Sequence, residues 1–418
     1  MSSSNRGTRL RVLVIGGGIG GLCLAHRLQR DGVDVTVYER DESPLSRTQG
    51  YRLRISPEGE QALRECLPQR SVRLLAVTSA LRRETRITAY NQHLEPQWAP
   101  SIEDPRPDSP EKIDAVDRLT FRHVLLGGLE CAVRYGKRFV RYEIGADARV
   151  TAHFADGSND VGDVVVAADG THSRVRAQIR PDTEPHDLGV RTVFSRIPME
   201  KAFAYGLAEI FRDRFTYVNG TDGHHLGLMP MVFRASPATM ADLLWPALRL
   251  DPVPDYFLGV FNVHRDELAM PDEKFLGLRG AQLRDFVLQR TARWHPGLRT
   301  AFAHADPEAT FAVPLRASVP VRAWGPGPIV GLGDAVHTMP PAGGVGANAA
   351  IRDASSLGRA LVDVDHGYKL LAEAVAAYHR EMVAYATESI AMSLKIAQWS
   401  MKMLDLQPQA RLSPRRTS

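Results

Sequence analysis

The stretch Leu10–Glu39, LRVLVIGGGIGGLCLAHRLQRDGVDVTVYE, decides the fold. It opens on an apolar, β-branched run from Leu10 to Ile15, which reads as a buried strand. Gly16, Gly17 and Gly18 follow. From Ile19 to Gly32 the apolar positions Leu22, Leu24, Ala25 and Leu28 fall at helical spacing, and Val33, Val35 and Val37 then alternate as a second strand. Inside the turn, Gly16, Gly18 and Gly21 satisfy G-x-G-x-x-G, with Gly20 beside them. Alone, that motif is weak, because glycines at these intervals occur in many loops. Between a strand and a helix it has a mechanism. Gly16 permits the tight turn, Gly18 lets backbone approach a pyrophosphate, and Gly21 lets the helix pack close to the strand. The helix N-terminus offers unpaired N–H groups and partial positive charge to the phosphates. Glu39, at the end of the second strand, is placed to accept hydrogen bonds from a ribose, and Arg40 beside it is a further cofactor-binding candidate.

Working outward, Ser56-Pro57-Glu58 opens a helix, with serine as N-cap and proline at the first helical position. Leu119 to Val133 has helical spacing again. Strands are expected at Arg138–Glu143 and Val150–Phe154, then an Asp156-Gly157 turn and a buried strand from Asp163 to Ala168. That strand runs into a second motif, DVVVAADGTHSRVR at 163–176. A third, GLGDAVHTMPPAGGVGAN at 331–348, follows a strand at Ile329–Leu332 and leads into a helix. A carboxylate at a strand end beside a glycine-rich helix start is a second cradle for a phosphate or a ribityl chain. Leu188 to Asp285 is strand-like, aromatic and proline-studded, without a nucleotide fingerprint. Ala360 to Leu406 is helical, with Ile390, Leu394, Ala397, Met401 and Leu404 at heptad-like spacing, either packed on their own domain or forming a dimer seam. The tail from Pro408 to Ser418 reads as basic and disordered.

Length and composition exclude several classes. The 418 residues are enough for two or three domains, and 44% hydrophobic, 24% charged and a mean hydropathy of −0.21 describe a globular enzyme rather than a disordered chain. Lys+Arg 52 against Asp+Glu 48 leaves +4, spread along the chain, which argues against nucleic acid as a partner. Cys23, Cys66 and Cys131 form no C-x-x-C pair, so neither a thiol-bound metal nor a disulfide framework is expected. No apolar run approaches a membrane span, and the N-terminal run is too short for a signal segment. The expected location is the cytoplasm.

The three motifs, in this order, resemble the class A flavoprotein monooxygenases, the para-hydroxybenzoate hydroxylase fold, over about residues 10 to 360. Arg118 and Arg122 in DRLTFRHVLL, 117–126, match that family's flavin-contacting arginine helix as well. The resemblance implies an α/β fold: a Rossmann-like, glutathione-reductase-type FAD-binding domain, an inserted β-sheet substrate domain and a C-terminal helical segment. The FAD-binding domain would span 1–187, with substrate-sheet strands near 73–100, and 286–360. The substrate sheet would span 188–285, and C-terminal helices and tail 361–418. The resemblance also implies non-covalent FAD, with Gly16, Gly18, Gly20, Gly21, Glu39 and Arg40 on its ADP half. Asp334, after Gly333, would bind the ribityl chain. Gly344, Val345, Gly346, Ala347 and Asn348 would face the pyrimidine edge of the flavin, and Pro341 its oxygen-reacting side. Pro341 and Gly344 are thus the catalytic candidates. Asp169, supported by Arg176, would serve FAD and bear on NAD(P)H. Arg52 or Arg54 would contact flavin or pyrophosphate, and strand alternation puts both on one face.

The implied reaction consumes NADH or NADPH and O2 and transfers oxygen through a flavin C4a-hydroperoxide to an aromatic or polyketide-like small molecule. Alternatives are a flavoenzyme acting on an isoprenoid-like substrate as epoxidase or reductase, and a flavin-binding protein without oxygenase chemistry that stabilises an intermediate. A flavin halogenase would carry Trp-x-Trp-x-Ile-Pro, and none of Trp98, Trp245, Trp294, Trp324 or Trp399 lies in such a stretch. A Baeyer–Villiger enzyme would show a second G-x-G-x-x-G. Tyr217, His225, Met229 and Phe233 are the substrate candidates, beside Phe215 and Met231. His224 and His225, following Asp222-Gly223, read more simply as exposed loop residues, and His337 as a structural one. A metal site would need a third ligand that the chain does not supply. A monomer or homodimer without membrane contact is expected.

Overall fold

The computed structural model describes residues 9–44, 46, 51–80, 87–99, 109–207 and 211–401. The Pro408–Ser418 tail and Leu404 lie outside the described residues. A five-stranded, wholly parallel sheet runs in the order Ile329–Gly331, Val164–Ala167, Arg11–Ile15, Asp34–Tyr38, Val133–Arg134. Its central strands are buried on both faces, as near-continuous valine runs require. Helix Ile19–Arg30 packs against the long helix Val345–Asp365, which also covers Pro57–Cys66. This order matters for function. Three neighbouring strands end at Ile15, Ala167 and Gly331, so the three motifs, far apart in sequence, emerge side by side at the carboxyl edge. In open parallel sheets that edge is where ligands bind.

A second, seven-stranded sheet runs Phe311–Ala317, His186–Pro198, Tyr256–His264, His225–Met231, Phe215–Asn219, Ile87–Asn91, Pro96–Gln97. All its pairings are antiparallel except Phe215–Asn219 with Ile87–Asn91. Its back packs on a core that includes Phe211, Phe261, Phe275 and Phe302. A short ribbon, Arg52–Arg54 against Ala115–Asp117, lies between the two sheets in sequence. Antiparallel strands Phe139–Ile144, Val150–Phe154 and Asn159–Gly162 form a three-stranded flap.

Several elements differ from the sequence reading. The helix expected over Leu119–Val133 spans only Arg118–Leu126, because Gly127 and Gly128 (φ +85°) end it and Val133 joins the parallel sheet. Residues 69–78 are helical, so the substrate-sheet strands of the 73–100 region begin at Ile87. The seven-stranded sheet also takes Phe311–Ala317 from the segment read as FAD-binding. The C-terminal helical region is two helices, Val345–Asp365 and Leu371–Met401, separated at Gly367 (φ +76°). Ile390 and Ala397 are buried against the chain's own core. Among the described residues no helix is long and apolar enough to cross a membrane.

Candidate active site

A cavity of about 800 Å³ lies where the carboxyl edge of the parallel sheet meets the open face of the seven-stranded sheet. Its first wall is the glycine turn. Gly16 adopts φ +110°, and a Cβ there would stand 2.3 Å from the Ala168 carbonyl oxygen; at Gly21 it would stand 2.3 Å from the Gly16 carbonyl oxygen. These two glycines are compelled by the chain itself. Gly18 is not: its φ is −79°, and a Cβ would meet only Ala168 O, at 3.9 Å. The space that Gly18 leaves is cavity, which is what a ligand-facing glycine requires. Gly17 N–H donates to Glu39 Oε2 at 3.0 Å and Asp41 N–H to Glu39 Oε1 at 3.1 Å, so the buried carboxylate is held at the cavity wall. Arg122 lies behind the turn, donating to the Gly17 carbonyl with Glu39 3.7 Å away. It therefore braces the loop and does not line the cavity, whereas Arg118, one turn earlier, does.

Two helices start at this cavity, Ile19–Arg30 and Val345–Asp365. Both have a glycine N-cap with no side-chain cap, Gly18 and Gly344, and Gly344 is left-handed at φ +66°. The helices after Ser56, Asp117 and Ser236 are capped by those side chains. Uncapped first-turn N–H groups, with the positive ends of two helix dipoles, fit an anionic, elongated cofactor.

The other motifs complete the wall. Asp169 Oδ2 accepts from Arg174 N–H at 2.8 Å, while Oδ1 has no hydrogen-bond partner among the described residues. Burial outweighs those hydrogen bonds and raises the pKa of Asp169. Arg176 joins the second and third motifs by donating to the carbonyls of Thr171 (2.7 Å) and Ala335 (3.1 Å). Asp334 exposes its carboxylate to the cavity while enclosed by protein. Enclosure raises its pKa, against the opposing pull of His337 and Arg118. A ligand hydroxyl donating to this carboxylate would make a charge-assisted bond. Asp334→Ala is expected to weaken FAD retention about ten- to hundredfold, from a loss of roughly 1.5–3 kcal/mol. Unchanged flavin occupancy after dialysis would show that Asp334 does not touch the cofactor.

The cavity gathers most of the residues singled out from sequence: Gly16, Gly18, Gly20, Gly21, Glu39, Arg40, Arg52, Arg54, Arg118 and Asp169 on one side. Gly333, Asp334, Pro341, Gly344, Gly346, Ala347, Tyr217 and Met229 line it as well. Arg52 and Arg54 both face it, and the Arg52 guanidinium lies 4.5 Å from the Phe215 ring centre. Four candidates fall elsewhere. Asn348 is buried; its amide donates to the Arg54 (2.9 Å) and Gly344 (2.7 Å) carbonyls and accepts from Ser56 N–H (2.9 Å), stapling the ribbon to the glycine loop. Val345 is also outside the lining. His225 is buried, with Nδ1 3.1 Å from Asn219 Oδ1, and His224 stacks on Phe261 and pairs with Asp222, so neither is an exposed loop residue. Phe233 lies beyond the strand end at Met231 and packs with Ala80 and Tyr256. Sequence reading overlooked Asn262, a buried amide that lines the cavity from the centre of the sheet. Its signal was a lone polar residue among Tyr256, Leu258 and Val260 at alternate positions.

Comparisons with known proteins agree with this geometry. Residues 14–60 match an NAD(P)-binding Rossmann-like domain and residues 286–393 an FAD binding domain. A dual O-methyltransferase/FAD-dependent monooxygenase of Cercospora beticola is 29% identical over 91% of this chain and 45% of its own length, so the chain spans about half of that relative. An FAD-dependent monooxygenase of Talaromyces islandicus is 26% identical over 92% of this chain and 91% of its own. A solved structure from Photorhabdus luminescens, described as an FAD containing monooxygenase, superposes with a TM-score of 0.78 at 29% identity, covering 95% of this chain and 100% of that one. FAD is the cofactor that the glycine turn, Asp334 and the two open helix ends fit. With its three motifs assembled at one sheet edge, the chain is similar in sequence and fold to FAD-dependent monooxygenases over nearly its whole length.

Proposed function

We propose that the chain is an FAD- and NAD(P)H-dependent monooxygenase that hydroxylates an aromatic or polyketide-like small molecule. The observation that carries this reading is the continuity of the cavity. One space is bounded by the cofactor motifs and by an apolar sheet face that includes Phe215, Tyr217, Met229, Leu258 and Val260. A flat, apolar substrate laid on that face would lie next to the Pro341–Gly344 loop. Bound FAD would supply the redox chemistry, taking a hydride from NAD(P)H and activating O2.

The chain's own residues do the rest. Gly18 and its helix end would hold the pyrophosphate, Glu39 the ribose and Asp334 the ribityl hydroxyls. The positive end of the helix beginning at Val345 would stabilise negative charge on a bound flavin, and the apolar floor would exclude water. The Cercospora relative joins its monooxygenase to an O-methyltransferase, an activity that acts on a hydroxyl of the kind this reaction would install.

The chain has one dinucleotide turn, and FAD takes it. NAD(P)H would then reach the flavin transiently, past Asp169 and Arg174 at the cavity wall. Substrate is accordingly expected to gate reduction, as closure steps do in many enzymes. Stopped-flow reduction by NADH and NADPH, with and without phenols that stimulate oxygen uptake, tests this. Rates at least about tenfold higher with substrate are expected. Equal rates would remove the gating, and a panel of phenols that stimulates no oxygen uptake would sink the hydroxylase reading.

A further inference from the structure

The cavity-facing side of the seven-stranded sheet is built in registered rows. One row is apolar: Phe194 pairs with Val260, Val260 with Gly227, and Gly227 with Tyr217. All four line the cavity. Gly227 contributes no side chain there, and a Cβ would stand 3.1 Å from Met229 Cε, so the end of the Met229 side chain lies over the glycine and forms part of the apolar floor. The next row on the same face is polar throughout. Thr192 pairs with Asn262, Asn262 with His225, His225 with Asn219, and Asn219 with Asn91. Of these, only Asn262 lines the cavity.

Asn262 is 5% exposed. The fully buried Thr192 hydroxyl donates to its Oδ1 at 2.6 Å, which fixes the plane of the amide. Nδ2 has no protein partner among the described residues and is not sealed from the cavity. A buried N–H group without an acceptor is costly, and a site containing one discriminates sharply for ligands that supply it. If Asn262 served only to satisfy Thr192, an acceptor-only side chain would do so without two idle donors at the end of an apolar slot.

The geometry points to Asn262 as a specificity-determining contact whose Nδ2 donates a hydrogen bond to a phenolic or ring-carbonyl oxygen of the substrate. Thr192 is the positioning residue that orients the amide. The row sets where an oxygenated edge of the substrate must lie, at the end of a floor made mostly of Phe194, Gly227, Met229, Leu258 and Val260. The inference rests on the aromatic-substrate reading above.

Binding of 1-naphthol and 1-methylnaphthalene, matched in shape but not in oxygen, to the FAD-loaded protein tests it through the flavin absorbance change. Wild type is expected to prefer 1-naphthol by about ten- to hundredfold. Asn262→Leu should abolish the preference by weakening 1-naphthol alone, with flavin content unchanged. Thr192→Val, which leaves the amide in place but unpinned, should reduce the preference severalfold, and serves as the readout if Asn262→Leu does not fold. A wild type without preference, or a preference that survives in the variants, overturns the assignment. If neither probe perturbs the flavin, the aromatic-substrate reading itself fails and the assignment falls with it.

Discussion

Gly18→Ala is expected to fold normally and to lose FAD. In the ligand-free protein the added methyl would meet only Ala168 O, at 3.9 Å, and the backbone there (φ −79°) suits any residue. A change of N-cap from glycine to alanine costs no more than about 1 kcal/mol, so the thermal midpoint of the apoprotein should barely move. The same methyl would occupy the space through which a pyrophosphate approaches the N–H groups of the helix. Overpacking of about 1–3 kcal/mol and disturbed charge-assisted bonds of roughly 1.5–3 kcal/mol add to a loss of about a hundredfold or more in FAD affinity. Gly16→Ala is the contrast. With φ +110° and a carbonyl oxygen 2.3 Å from the new Cβ, it should damage the loop with or without flavin. Apoprotein melts and flavin-fluorescence titrations separate the two. FAD affinity within threefold of wild type in Gly18→Ala would mean that the phosphates do not cross this glycine.

The turn at Gly16–Gly21 was legible in the sequence because its determinants are local: one strand, one turn and one helix within about thirty residues. The other two motifs were legible for the same reason, and the parallel sheet then had only to place three strand ends side by side. Substrate-side residues are a different problem. Which face of a strand looks into the cavity depends on register with partners far away in the chain. Tyr217 and Met229 came out on the cavity side. His225, paired with Asn262 on the neighbouring strand, is buried outside the cavity lining, and Phe233 lies past the point where alternation ends. Asn348 shows a further limit. Its place in the glycine-rich motif suggested a cofactor contact, yet its amide is consumed by Arg54, Gly344 and Ser56. A motif reports that a residue type is needed, without distinguishing a ligand contact from the staple that shapes the loop. Arg122 belongs to the same class: in a helix whose Arg118 lines the cavity, it holds Gly17 from behind.

Asp353 is the most consequential residue outside the cavity, and its replacement by alanine is expected to be strongly destabilising. The side chain is fully buried in the helix Val345–Asp365. One oxygen accepts from Gly333 N–H and from His337 Nε2, each at 2.6 Å, and the other accepts from the Tyr385 hydroxyl. Three pieces of chain, including the turn that carries Asp334, thus meet on one carboxylate. Burial alone would lower the pKa of His337, but Asp353, with a further contribution from Asp334, outweighs it and the net shift is upward from 6.5. Removing the carboxylate leaves an imidazolium, a phenol and a backbone N–H unpaired in the core, at a cost of about 3–5 kcal/mol. The sign of the pH dependence follows from the raised pKa. The contribution of His337 is fully present below 6.5, its unfolded value, and is lost as pH rises through the higher folded value. Wild type should therefore lose this increment of stability on the alkaline side. Asp353→Asn, which keeps the shape but not the charge, should melt several degrees lower in acid and show a flatter decline towards alkaline pH. Melting midpoints of the apoprotein across pH 5.5–9 read this directly; midpoints serve better than a single free energy in a chain with two sheets and more than one core. A variant that melts like wild type across the range would show that the His337–Asp353 pair carries no charge in the folded protein. The affinity of Asp353→Asn for FAD provides the link to function. If this carboxylate sets the position of the Gly333–Asp334 turn, flavin retention should fall in Asp353→Asn even at temperatures where the protein remains folded.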